Sequence, residues 1–250
     1  MSRLYTDDAE LYDIAFEWDI EDEVDWLLER LGRPKSVLEP GCGSGRVLEP
    51  LARRGIDVTG FDLSPEMIEL ARARLRGAGE VHVADMTAFD LRRTFDGAVC
   101  PINTLAHLTP DGLGRHLERM ARHLVPGGRY LAQVGLMDRE SWDPTASHLA
   151  EATRGETKLR WEWADVEMDF ERGTSRQRSR IWVLEGPRAG DVVEDIHEMT
   201  LWMPETWARA ISASPFQQAA TYDAGKKGEW PQVGSDATGG LLWHELVAPS

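Results

Sequence analysis

The chain has 250 residues, 42% of them hydrophobic, and its 43 acidic and 28 basic side chains give a formal charge of −15. This composition is typical of a globular protein and excludes wholesale disorder, and the acidity disfavours nucleic acid as a partner because binding to phosphates depends on Lys and Arg. No apolar stretch reaches the roughly 20 residues that span a bilayer, the first residues contain no apolar signal core, and there are two cysteines. We therefore expect a cytoplasmic protein, monomeric or homodimeric, without a membrane or nucleic-acid partner.

Residues 35–134 alternate short apolar runs with helical patterns, which predicts consecutive βαβ units and a mostly parallel sheet. Ser64-Pro65-Glu66 and Thr109-Pro110-Asp111 each place a capping residue, a proline and an acid at a helix start. Pro126-Gly127-Gly128 predicts the end of the second of these helices. The five predicted strands cover 36–38, 57–61, 80–84, 95–100 and 128–134.

The chain changes character after residue 134, and all ten tryptophans lie outside 35–134. Three β-like runs follow one another within 157–203 with no long helix between them, and in the first run the apolar parity flips near Trp163, which predicts a bulge. A short helix is predicted from Pro204, and two final strands at 217–222 and 241–247.

The predicted fold is α/β: a Rossmann-like, mostly parallel seven-stranded sheet flanked by helices, with an antiparallel β insertion after the fifth strand. The predicted segments are an N-terminal helical cap (1–34), a core domain (35–156), the β insertion acting as a substrate cap (157–203), and a C-terminal helix with the last strands (204–250).

A glycine-rich turn, Glu39-Pro40-Gly41-Cys42-Gly43-Ser44-Gly45, directly follows the first predicted strand. Glycine permits positive φ and close approach of the backbone to a ligand, and a strand-to-helix turn points N–H groups at a bound anion. The spacing differs from Gly-x-Gly-x-x-Gly and lacks the Gly-Lys-Ser/Thr of a P-loop, which disfavours a nicotinamide-dependent oxidoreductase without removing it as an alternative. Asp62, at the end of the second strand, is placed to accept hydrogen bonds from ribose hydroxyls.

Together with Ala84-Asp85-Met86, Phe95–Val99 and Leu124–Gly128, this turn and Asp62 resemble the motifs of class I S-adenosylmethionine (SAM)-dependent methyltransferases over about 35–135. The resemblance implies SAM as cofactor, S-adenosylhomocysteine as product, and in-line methyl transfer to an N or O atom of a small molecule. A SAM-binding protein without catalysis is the alternative. The implied cofactor residues are Glu39, Gly41, Cys42, Gly43, Gly45, Asp62, Leu63, Met67, Ala84, Asp85, Met86, Pro101 and Ile102.

The catalytic residues are less clear than the cofactor site. His107 follows the fourth strand and is the nearest candidate base, although a structural role is equally compatible with its position. Tyr12 lies in a segment that resembles the Tyr-Asp helix of several small-molecule N-methyltransferases, where it would close over SAM or the acceptor; the alternative is that it only attaches the helix to the sheet. The histidines form no metal-ligand pattern. Candidate acceptor contacts are Tyr5, Trp18, Asn103, Trp161, Trp163, Arg178, Arg180, Trp182 and His197.

Overall fold

The computed structural model describes residues 2–225 and 228–250 and contains a large mixed sheet covered by helices. Its strands are β1 (Ser36–Pro40), β2 (Asp57–Asp62), β3 (Glu80–Val83), β4 (Phe95–Cys100), β5 (Leu124–Leu136), β10 (Gln217–Asp223), β11 (Gln232–Val233) and β12 (Gly240–Val247). The spatial order is β11-β10-β12-β5-β4-β1-β2-β3, with β1 to β5 mutually parallel and the last three antiparallel. The sheet has eight strands instead of the seven expected, because the two-residue β11 is added at one edge.

In the described part of the chain, six helices connect and cover these strands: α1 (Ala9–Ala15), α2 (Glu21–Arg30), α3 (Leu48–Arg53), α4 (Pro65–Leu75), α5 (Pro110–Arg122) and α6 (Pro204–Ser212), with 3-10 turns at Arg3–Tyr5 and Thr104–His107. The two predicted capping residues stand at the predicted helix starts. Ser64 Oγ accepts a hydrogen bond from the backbone N–H of Met67 at 3.1 Å, and Thr109 Oγ1 accepts one from Gly112 at 3.1 Å.

The prediction that Pro126-Gly127-Gly128 ends the preceding helix is wrong. Helix α5 ends at Arg122, and β5 already begins at Leu124. Phe95 pairs with Leu124, and the next pair is Gly97 with Arg129. Strand β5 therefore advances by five residues where β4 advances by two. Proline and glycine therefore form an irregularity inside one long strand, as is usual where a residue cannot donate to the ladder.

The cap is a separate antiparallel sheet of four strands in chain order: β6 (Ser147–Arg154), β7 (Thr157–Asp169), β8 (Thr174–Glu185) and β9 (Val192–Thr200). It starts ten residues earlier than the predicted boundary at 157, because β6 pairs with β7 along its whole length. The pairing of β7 with β8 shifts register between Asp165 and Glu167, two residues beyond the parity flip that predicted a bulge.

Buried apolar side chains form two clusters on the faces of the large sheet and a third between α1 and the cap. The third cluster includes Leu11 and Ile14 of α1 with Leu159 and Ile181 of the cap. Helix α1 thus fixes the cap over the edge of the large sheet where the parallel strands end. Within 2–225 and 228–250, no helix has the length and apolar character required to cross a membrane.

Candidate functional site

A cavity of about 1390 Å³ lies between the carboxyl ends of β1 to β4 and the inner face of the cap. Parallel strands end at one edge of the sheet, and α/β proteins bind ligands in the crevice outside that edge. Single-ligand pockets measure ~300–1,000 Å³, so this cavity has room for a cofactor and an acceptor together. We call the part formed by the large sheet the cofactor half and the part formed by the cap, Tyr5 and His107 the acceptor half.

Twelve of the thirteen predicted cofactor residues line this cavity. The exception is Gly45, whose backbone faces α4 instead: a Cβ at Gly45 would lie 3.3 Å from the Cβ of Ala71. Its φ of +78° and its packing explain why glycine is needed there, and they correct the expectation that Gly45 holds the ligand. The residues that line the cavity are Glu39, Gly41, Cys42, Gly43, Asp62, Leu63, Met67, Ala84, Asp85, Met86, Pro101 and Ile102.

Asp62 is the last residue of β2, Asp85 follows the last residue of the neighbouring strand β3 by two positions, and both line the cavity. Asp62 accepts hydrogen bonds from the backbone N–H groups of Gly43 and Ser64, each at 2.9 Å, which ties the glycine turn to β2. Asp85 accepts bonds from the N–H and hydroxyl of Thr87 at 2.7 and 2.8 Å. Each aspartate therefore has a structural role, and each carboxylate also faces the cavity.

Arg46 lines the cavity beside Glu39, and sequence reasoning missed it. Its Nη1 and the Oε2 of Glu39 are buried without a hydrogen-bond partner among the described residues. Desolvation lowers the pKa of the Arg46 guanidinium and raises the pKa of Glu39 well above its ordinary value. Buried polar atoms without partners are costly, so their presence at a cavity wall fits a zwitterionic ligand group such as the methionine end of SAM.

The turn after β4 is strained and is held in place by hydrogen bonds. Ile102 and Asn103 adopt φ values of +47° and +59°, which non-glycine residues rarely adopt. The N–H of Ile102 donates to Gln133 Oε1 at 2.6 Å, and Asn103 Oδ1 accepts from the N–H of Gly135 at 3.0 Å. Strain of this kind costs about 1–3 kcal/mol and concentrates at functional sites. Here it fixes the backbone where the two halves of the cavity meet.

The acceptor half is a wall of aromatic rings. The hydroxyl of Tyr5 lies 3.4 Å from His107 Nε2, and the Tyr5 ring meets Tyr12 edge-on with centroids 5.2 Å apart. His197 stacks on Trp163 with a centroid separation of 4.6 Å. Of the predicted catalytic and acceptor residues, those that line the cavity are Tyr5, Tyr12, Trp18, Asn103, His107, Trp161, Trp163 and His197.

Two causes lower the pKa of His107 below its ordinary value: the larger is desolvation by the surrounding residues, and the smaller is the nearby His197. Its ring is nevertheless open to the cavity. The imidazole is therefore neutral near pH 7 and carries a ring nitrogen able to accept a hydrogen bond. A base with a lowered pKa is a weak one, so this position suits orientation of an N–H group better than removal of a proton from a hydroxyl.

Arg178, Arg180 and Trp182 do not line the cavity, contrary to their predicted contact with the acceptor. They alternate with the inward-facing residues of β8 and lie on the outer face of the cap. There Arg178 pairs with Glu162 at 3.0 Å, and Arg180 pairs with Glu194. The sequence placed these residues on the correct strand, but the face depended on the strand register.

Two further sets of residues at the cavity were not predicted. On the cap, Gln177 and Asp165 line the cavity beside Trp163. On α1, Asp13 bonds the Ser44 hydroxyl of the glycine turn and pairs at 2.6 Å with both Arg74 of α4 and Arg154 of β6. Helix α1 is thus joined to both halves of the cavity. Its only signal in the sequence was the Tyr-Asp dipeptide.

Within 2–225 and 228–250, no cluster of His, Cys, Asp and Glu side chains is arranged to hold a metal ion. Cys42 and Cys100 are both buried and free. Burial raises the pKa of both thiols, so neither has the character of a reactive thiolate.

The sequence profile of a family described as methyltransferase domain matches residues 37–128. A curated relative from Streptomyces fradiae, dTDP-3-amino-3,6-dideoxy-alpha-D-glucopyranose N,N-dimethyltransferase, is 31% identical over 82% of this chain and 82% of its own. Another, dTDP-4-amino-2,3,4,6-tetradeoxy-D-glucose N,N-dimethyltransferase from Saccharopolyspora spinosa, is 35% identical over 51% of this chain. The chain spans about half (54%) of the length of that second relative.

Solved structures share the fold over nearly the whole chain. Streptomyces venezuelae DesVI matches with a TM-score of 0.76, 22% identity and 96% coverage of both chains. SAM-bound CalS10, an amino pentose methyltransferase from Micromonospora echinaspora, matches with a TM-score of 0.72, 22% identity and coverage of 94% and 95%. At 22% identity these matches show a shared fold, and the matched length includes the residues of the cap.

Proposed function

Because the chain belongs to the methyltransferase domain family, we propose that it is a SAM-dependent N-methyltransferase that acts on the amino group of a small amino sugar. The observation that carries the proposal is that the glycine turn and two aspartates line the same cavity as an aromatic wall with a neutral histidine. Two curated relatives are named as amino-sugar N,N-dimethyltransferases, which supports nitrogen as the methylated atom.

In the cofactor half, Arg46 and Glu39 would bind the carboxylate and amino groups of the methionine end, and the backbone of Gly41 and Gly43 would lie against it. Asp62 would bind the ribose hydroxyls, and Asp85 the adenine amino group. Bound SAM would supply an electrophilic methyl group: the amine nitrogen would form a bond to the methyl carbon as the carbon–sulfur bond breaks, with S-adenosylhomocysteine as the leaving group and the proton of the resulting ammonium passing to water. The protein's contribution is to hold the two reactants in a reactive orientation, which can account for much of the acceleration.

In the acceptor half, His107 and the Tyr5 hydroxyl would hold the N–H groups of the acceptor. The lone pair of the nitrogen is then directed away from them and toward the cofactor half. The lowered pKa of His107 favours nitrogen over oxygen as the acceptor atom. A neutral amine needs orientation only, whereas a hydroxyl needs a base strong enough to take its proton in the transition state. The rings of Tyr12 and Phe16, stacked at 4.2 Å, would exclude water above this point.

Calorimetric titration with SAM, followed by mass spectrometry of amino sugars incubated with SAM, tests the proposal. We expect saturable SAM binding, a large loss of affinity in Asp62→Ala, and the mass gain of one or two methyl groups on an amine. Arg178→Ala, on the outer face of the cap, is the matched control and should bind SAM as the wild type does. Absence of SAM binding by the wild type would refute the cofactor assignment, and SAM binding without transfer to any amine would favour a non-catalytic binder.

The remaining parts of the proposal concern the setting of the enzyme. Two free, buried cysteines and a charge of −15 support action in the cytoplasm on a small molecule, without a nucleic-acid partner. We propose a monomer or a homodimer, which light scattering measures directly.

A further inference from the structure

The inner face of the cap is divided into an apolar part and a polar part. The apolar part packs on α1 and is formed by Leu159, Trp161, Ile181, Val183 and Val193. The polar part continues the same strands past the end of α1 and faces the cavity with Trp163, Asp165, Gln177 and His197. A surface built only to close the fold would be apolar throughout, so the polar part is placed to meet a polar ligand.

Within the polar part, Asp165 is held in a defined orientation. Gln177 accepts a hydrogen bond from Trp163 Nε1 at 2.7 Å and donates one from Nε2 to Asp165 Oδ1 at 2.7 Å. The Trp163 ring is itself fixed by stacking on His197. No hydrogen bond or ion pair within 2–225 and 228–250 engages Asp165 Oδ2. The structure therefore holds one carboxylate oxygen at the cavity wall without a protein partner.

Asp165 lies two strands away from His197 in the cap sheet. It pairs across the sheet with Gln177, and Gln177 pairs with His197. Two strand spacings separate Asp165 from His197, which is about 10 Å. The His197 ring lies 6.4 Å from the His107 ring and 5.6 Å from the Tyr5 ring. From this spacing we infer that Asp165 meets a different group of the acceptor from the nitrogen held near His107.

The charges of the acceptor half favour a cation. Its carboxylates include Asp165 and Asp195, whereas the arginine that lines it within 2–225 and 228–250 is Arg176, which pairs with Glu167 at 3.2 Å. A diphosphate group would require a cluster of arginines or lysines and would meet carboxylates instead.

We propose that the acceptor is a polyamino sugar without a phosphate group, and that Asp165 determines specificity by binding a second ammonium group on a different part of the acceptor from the methylated nitrogen. This inference rests on the proposed function and narrows its substrate class. It favours a free amino sugar, which is a cation, over an amino sugar linked to a nucleoside diphosphate, whose phosphates are negatively charged.

Calorimetry on the protein saturated with S-adenosylhomocysteine tests the proposal with three probes. Neamine carries amino groups on both of its rings, glucosamine carries a single amino group, and thymidine diphosphate supplies the anionic alternative. We expect saturable binding of neamine, binding of glucosamine weaker by at least about 10-fold, and little binding of thymidine diphosphate. Asp165→Asn keeps the bond from Gln177 but removes the charge, and it should weaken neamine binding by about 10-fold while leaving glucosamine binding nearly unchanged.

Glu162→Gln is the matched control, because this carboxylate lies on the same strand but on the outer face of the cap, where it pairs with Arg178. It should bind neamine as the wild type does. Tighter binding of thymidine diphosphate than of neamine, no neamine binding by a protein that binds S-adenosylhomocysteine, or equal neamine binding by Asp165→Asn and wild type would each overturn the inference. Failure to bind S-adenosylhomocysteine would instead contradict the proposed function on which it rests.

Discussion

Gly41 is confined by two side chains that close on the space where a Cβ would stand. A Cβ there would lie 2.5 Å from Thr104 Cγ2 and 3.2 Å from Met86 Cε, and the φ of Gly41 is +66°. We expect Gly41→Ala to lower the free energy of unfolding by about 2–4 kcal/mol, because left-handed strain and overpacking add, and to abolish measurable SAM binding. Urea denaturation and calorimetry measure the two effects.

Gly32→Ala separates strain from overpacking in this comparison. Gly32 has a similar φ of +78°, but nothing lies within 4 Å of its would-be Cβ. The control should lose only about 1–2 kcal/mol and should retain SAM binding. Equal losses in the two variants would show that the contact with Thr104 has no energetic weight.

Helix α1 depends on one buried carboxylate more than on its own length. It has seven residues, too few for stability in isolation, and the side chain of Asp13 is only 6% exposed. The partners of Asp13 come from the glycine turn, α4 and the cap. A single helix therefore links SAM binding to the position of the acceptor wall.

We expect Asp13→Asn to destabilise the protein by about 3 kcal/mol, because it removes the buried carboxylate that Arg74 and Arg154 share and leaves them only the half-exposed Glu17. It should also raise the KM for SAM and speed amide hydrogen exchange in α1. Glu17→Gln is the control, since Glu17 contacts Arg154 at 2.5 Å but is 43% exposed and should cost less than about 1 kcal/mol. Unchanged exchange in α1 of Asp13→Asn would argue against this linkage.

At the scale of elements, the helix starts were predictable because a capping side chain acts on N–H groups two or three residues away. The course of β5 through Pro126 and Gly128 was not, because it depends on pairing with β4, thirty residues earlier in the chain. The boundary of the cap was missed for the same reason: β6 contains few apolar residues and becomes a strand only by pairing with β7.

The whole molecule should be sensitive to acid through its buried histidines. Burial lowers the pKa of His116 and of His244 from 6.5 to about 4, and both side chains are fully buried. Between pH 6.5 and about pH 4, each of these histidines binds a proton in the unfolded chain but stays neutral in the folded chain. Stability is therefore fully present above about pH 6.5, and each histidine removes about 1.4 kcal/mol per pH unit as the pH falls toward 4.

His244→Leu tests this sign, because Leu is of similar volume and does not titrate. Urea denaturation at pH 7 and pH 5 should show that the unfolding free energy falls less between these two pH values than in the wild type, by about 2 kcal/mol in total, because about three quarters of this interval lies below pH 6.5. An equal pH dependence of the unfolding free energy in His244→Leu and in the wild type would contradict this account of His244. Buried carboxylates such as Glu39 affect both proteins alike, so the difference between the slopes isolates His244.

The sequence by itself determined the order of the βαβ units, the helix starts, the glycine turn and the position of Asp62 and Asp85 at strand ends. These features arise between neighbours in the chain, where periodicity, capping and positive φ act over a few residues. Only the tertiary structure decided that Gly45 packs on α4, that Arg46 and Asp13 reach the cavity, and that Arg178 faces outward while Gln177 faces in. Which face a strand residue occupies, and which distant side chain it meets, depends on register and packing between segments far apart in the chain, and no local pattern encodes that choice.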